Sequence, residues 1–170
     1  MSGEPIVVEY ETASGVRLHI TPLALPTIRG LHQRAASELP YPDPTSYEKP
    51  LENAVDDSIK LPAADNPEYQ ALTRIIDGER NELVNKRIIL IACKYPDYSD
   101  FKAVLAAFKD RLKALREVAD LPADDTEATL YNCILSGKED AAAVIQIAAQ
   151  QRALTNGEIV EGVRLFRLKV

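Results

Sequence analysis

The chain has no tryptophan, one methionine, two histidines, two cysteines and seven glycines in 170 residues. Each scarcity removes a class of chemistry. His19 and His32 are far from each other and from Cys93 and Cys133, and no H-x-E, H-E-x-x-H or C-x-x-C spacing occurs, so the ligand pattern of a zinc site is missing. None of the glycines builds G-x-G-x-x-G or G-x-x-x-x-G-K-[ST], so no phosphate-cradling loop is written here. The G-x-S-x-G elbow of a serine hydrolase is absent too. Both cysteines lie in apolar runs, where burial raises a thiol pKa and works against a nucleophile. Two buried thiols are the expectation, and two cysteines cannot staple a chain of this size.

Long hydrophobic runs are also missing. The longest, Ile88 to Cys93, is too short to span a bilayer. The first residues, MSGEPIVVEYET, show no basic region followed by an apolar one, so no signal peptide is expected and the reading is a cytoplasmic protein. Excess positive charge is absent as well. A net charge of −6 opposes both nucleic-acid backbones and anionic membrane surfaces, and the seven tyrosines are not interleaved with bases. Paired acids exist at Asp56-Asp57 and Asp124-Asp125, but neither stands in a D-x-[DN]-x-[DN]-G calcium loop. No catalytic, cofactor or metal residues are therefore nominated, and the chain is expected not to be an enzyme.

What is present is an uneven distribution of proline and acid. Residues 36–68 hold six of the 11 prolines, with eight acids against two bases. The remainder balances, at 18 acids and 18 bases. An acidic, proline-stiffened strap over residues 39–66 thus interrupts a neutral, helix-forming body. Tyr41-Pro42-Asp43-Pro44 favours an extended path, because residues before proline avoid the α region. Tyr41, Tyr47 and Leu51 are the strap's candidate anchors, either for a partner or for the domain's own surface.

Around the strap the patterning predicts a mainly α protein of about six helices, one domain over residues 1–170. Residues 5–21 alternate around Ala13-Ser14-Gly15 as a β-hairpin. A short helix is predicted over 26–38, with Pro26 in its first turn. The helical body occupies 67–170. Asn66-Pro67 opens a helix with no breaker before Tyr95-Pro96, roughly 27 residues or about 40 Å. Ser99 or Asp100 caps the next, to about residue 120; Lys102, Lys109, Lys113 and Arg116 form one basic stripe beside its apolar face. This stripe is a candidate partner surface, or a dock for the acidic strap in cis or in trans, that salt would weaken. Shorter helices follow over 126–135 and 138–153, and a Thr155-x-x-Glu158 capping box opens a last one.

The order of these segments resembles a known family. A hairpin, a first helix, the Tyr41-Pro42-Asp43-Pro44 strap, Asp65-Asn66-Pro67-Glu68-Tyr69 opening a long charged helix, Asp125-Thr126-Glu127-Ala128-Thr129-Leu130 and the stretch from Leu154 to Val163 together resemble the small tail proteins of long-tailed bacteriophages, often called tail assembly chaperones. The resemblance covers most of the chain and implies no catalysis and no cofactor. It implies binding to tape-measure or tail-tube proteins in the cytoplasm of a bacterial host. Some members are made in a short and a frameshift-extended form. A structural component retained in the tail or neck of the virion is the alternative, and a small enzyme with an unrecognised site is a third reading from a different class.

Overall fold

The computed structural model describes residues 6–50, 60–94 and 101–150, with the backbone alone at Phe101. The protein is mainly helical, with a two-stranded antiparallel hairpin near its N-terminus. The chain forms two compact units, residues 1–28 with 88–170 and residues 29–87.

The first unit begins with β1 (Val8–Glu11) paired to β2 (Arg17–Ile20), in the register Val8 to Ile20 and Tyr10 to Leu18. Alternation puts Val8, Leu18 and Ile20 on the buried face and Glu9, Glu11 and Arg17 in water. The turn closes where Gly15 takes φ of 77°, a left-handed conformation that costs glycine little. His19 stands opposite Glu9, its Nε2 3.2 Å from the Glu9 carboxylate. The far edge of β2 is also occupied. Thr21 N donates to Ala92 O, Lys94 N donates to His19 O, and Ile20 bridges to Cys93.

The helices of this unit are α3 (Phe101–Val118), α4 (Asp125–Thr129) and α5 (Lys138–Ala149). Asp124 caps α4 by accepting from the backbone N–H groups of Thr126 and Glu127, which holds its carboxyl below the usual range. After Thr129 the ladder widens into a π-helical turn, Leu130–Ile134, closed by Leu135 N on Leu130 O at 2.8 Å. An ordinary helix over 126–135 was the expectation; the structure instead changes hydrogen-bond register within it. The turn directs Leu130, Cys133 and Ile134 inward together. Helix α5 stops at Ala149, short of the expected 153. Leu23 N caps its end by donating to Ala148 O. The predicted capping box and last helix lie outside the described residues.

The second unit contains most of α1 (Leu25–Glu38), the strap, and most of α2 (Pro67–Ala92). Asn66 opens α2 as its side-chain cap, Oδ1 accepting from Glu68 N at 2.9 Å, ahead of Pro67. The strap is not a plain extended segment. Pro44–Tyr47 and Ala63–Asp65 are single 3₁₀ turns, and β3 (Lys49–Pro50) pairs antiparallel with β4 (Lys60–Leu61). Among the described residues of this unit, the buried apolar side chains are Ala35, Ala63 and Val84. Polar and aromatic contacts add to the hold of the strap on α2.

Candidate partner-binding surface

Two of the strap's candidate anchors are used by the protein itself. The Tyr41 hydroxyl donates to Asp77 Oδ1 at 2.5 Å, and the Arg80 guanidinium lies 3.9 Å from the centre of the Tyr41 ring. Asp77 and Arg80 are one helical turn apart on α2, so they present a carboxylate and a cation to one phenol. The same arginine also reaches the end of α1 and the start of the strap. Its Nε donates to Leu39 O at 2.8 Å and its Nη2 to Ala36 O at 3.4 Å. The hydrogen bond to Asp77 raises the Tyr41 pKa above its ordinary value, because the carboxylate opposes loss of the phenolic proton.

Tyr47 is the second anchor. Its ring centroid lies 5.4 Å from that of Tyr69 on α2, tilted by 52°. Asn66 Nδ2 donates to Tyr47 O at 2.8 Å, so the residue that caps α2 also fixes the strap. Gln70 Nε2 donates to Ala64 O at 2.6 Å. Between the helices, Glu38 accepts from Arg87 at 2.5 Å and from Arg34 at 2.8 Å. These two cations, Arg87 foremost, lower the Glu38 pKa.

The sequence pointed to Tyr41 and Tyr47 but missed Asp77, Arg80, Tyr69 and the Glu38–Arg87 pair. The available signal was the Asp77-x-x-Arg80 spacing, with Arg87 seven residues further on the same helix, but such spacing is common on solvated helices. Leu51, the third strap candidate, lies outside the described residues. Of the α3 stripe, Lys102, Lys109 and Lys113 are exposed. Arg116 is tied to Asp125 Oδ1 at 2.6 Å and to Pro122 O at 3.4 Å, which pins the α3–α4 loop.

In the first unit the notable polar group is Asp140. It is 5% exposed, sits in the first turn of α5, and accepts from the Tyr10 hydroxyl at 2.6 Å and from Ala13 N at 3.1 Å. Every described contact of this carboxylate is with the hairpin, so it acts as a tie between β1, its turn and α5. Burial pushes the Cys93 thiol up to about 12 and raises Cys133 and Tyr131 as well. A thiol so protonated at neutral pH is a packing group. Among the described residues no group of three His, Cys, Asp or Glu side chains could hold a metal, and no helix is long and apolar enough to cross a membrane.

Several apolar side chains stay in water. On α2, Ile75 is 58% and Ile91 51% exposed, with Leu90 at 40%; Val118 at the end of α3 is 82% exposed. No protein-family model matches the chain, and neither does any curated protein or solved structure.

Proposed function

We propose that this chain is a non-enzymatic bacteriophage tail assembly protein that binds tape-measure or tail-tube proteins in the cytoplasm of the bacterial host. The order of its segments supports the phage reading, through the resemblance to small tail proteins. The observation that carries the binding reading is the exposure of aliphatic side chains on α2, Ile75 in one unit and the adjacent Leu90 and Ile91 in the other. Branched aliphatic side chains in water cost stability that a partner's apolar surface would recover. The exposed lysines of α3, Lys102, Lys109 and Lys113, give such a surface a charge to steer by. In this reading the strap's role is internal. Tyr41 and Tyr47 hold it on α2, and what it offers a partner is its outward side, including Leu61 at 40% exposure.

A second reading, a structural component kept in the tail or neck, is favoured by one feature: the strand edge of β1 has no described neighbour beyond β2. Quantitative immunoblotting of purified particles separates the two. An assembly factor is present in infected-cell lysate and absent from particles; a virion component is retained at a fixed number per particle.

A further inference from the structure

The two edges of the hairpin are not equivalent. In an antiparallel pair, residues alternate between those that exchange both backbone bonds with their partner and those whose N–H and C=O point away from it. Thr12 N donates to Val16 O, so counting back two residues at a time makes Tyr10 with Leu18, and Val8 with Ile20, the bonded pairs. Glu9 with His19 and Glu11 with Arg17 then direct their backbone groups outward. On the β2 side this is visible directly, because His19 O accepts from Lys94 N. That edge is taken. On the β1 side, Glu9 and Glu11 face outward with no partner strand among the described residues.

The side chains beside this edge are selective. Glu9 and Glu11 are exposed on one face, and Val8 is buried on the other, while Ile6 and Val7, just before the strand, are 37% and 39% exposed. A second copy of β1 laid on this edge would set acid near acid, which opposes pairing. A strand with Lys or Arg on its solvent face and aliphatic residues on its inner face would meet Glu9 and Glu11 with opposite charge. It would also extend the apolar side begun by Val8. The hairpin already uses this arrangement, with Arg17 and His19 on β2 across from Glu11 and Glu9.

We infer that the outward edge of β1, which no described strand covers, is a docking site for an extended segment of a partner protein that alternates basic and aliphatic residues, added as a third strand of the hairpin. This deepens the partner-binding reading and rests on it. Backbone bonds to Glu9 and Glu11 supply the adhesion, and the two carboxylates supply the selectivity.

The test uses the full-length, isotope-labelled chain and two short synthetic peptides, one alternating Lys with Val and the other Glu with Val. The expected result is saturable shifts at the amides of Val7, Glu9 and Glu11 with the Lys peptide and none with the Glu peptide. The double variant Glu9→Lys/Glu11→Lys should reverse the preference. Glu9→Pro removes an outward N–H while keeping the β1–β2 backbone bonds and should abolish binding, with the far-ultraviolet spectrum unchanged. Equal shifts with both peptides, or shifts only elsewhere, overturn the proposal. So does slow hydrogen exchange at Glu9 and Glu11 before peptide is added, since the edge would then already be covered. A concentration dependence of that protection would identify a second copy as the cover. If Glu9→Pro leaves capture of a tail protein intact, this docking site is wrong while the assembly reading stands; loss of all capture by the unaltered chain removes the assembly reading itself.

Discussion

The Tyr10 hydroxyl donates to the buried carboxylate of Asp140 at 2.6 Å, joining β1 to the start of α5 across 130 residues of sequence. The same carboxylate accepts from Ala13 N, so a single side chain fixes both the strand and its turn. A lone two-stranded hairpin is marginal in water. Here it is stabilised by Leu18 and Ile20 packing inward and by this tie. Asp140→Ala removes the acceptor shared by the half-buried Tyr10 hydroxyl and the Ala13 N–H and should cost about 2 kcal/mol, against about 1 kcal/mol for Tyr10→Phe. Urea unfolding checks this, as a lowered midpoint at unchanged slope.

A buried hydroxyl sits where the π-helical turn begins. Thr129 is 1% exposed, and its Oγ1 has no hydrogen-bond partner among the described residues. Thr129→Val replaces that oxygen with a methyl of similar size and should stabilise the fold by about 1 kcal/mol. Thermal unfolding would show it as a higher midpoint.

The strap is fastened by α2 rather than left free. Arg80→Ala removes two hydrogen bonds to strap-side carbonyls and the cation over Tyr41, and should cost about 2 kcal/mol. Limited proteolysis within residues 40–66 should accelerate in this variant. Reversing Lys102, Lys109 and Lys113 to Glu should leave that cleavage rate unchanged. Acceleration in the lysine variant instead would show that the α3 stripe holds the strap.

The same clasp has a pH signature at both ends. Glu38 has a lowered pKa when folded, so its contribution is present above the ordinary value of 4.5 and is lost as pH falls through the folded value. Tyr41 has a raised pKa when folded, so its contribution is present below the ordinary value of 10.0 and is lost as pH rises through the folded value. Strap cleavage by proteases active in each range should rise below pH 4.5 and again above pH 10.0. Tyr41→Phe should abolish the alkaline rise and leave the acid one.

Much of the secondary structure was legible in the sequence because local chemistry decides it. Asn66-Pro67 opens α2 by side-chain capping and a proline at the first helical position, and no breaker interrupts it. Gly15 turns the hairpin, and alternation sets its buried face. Tyr41 and Tyr47 were legible as anchors, but not what they would anchor to. Tyr41 meets Asp77 across 36 residues, and nothing in local spacing distinguishes Asp77 from the other acids on α2. Nor does composition foretell the two 3₁₀ turns and the β3–β4 pairing, which close the strap through Asn66 and Tyr69. The shift of ladder after Thr129 was equally hidden, since its residues suit an ordinary helix as well.

The measurement that tests the central claim most directly is capture of tagged full-length protein from the phage-producing cell, with mass spectrometry of what co-purifies. The account predicts a tape-measure or tail-tube protein, reduced when Ile75 and Ile91 are replaced by Asp. Recovery of the chain with no tail protein bound would contradict it.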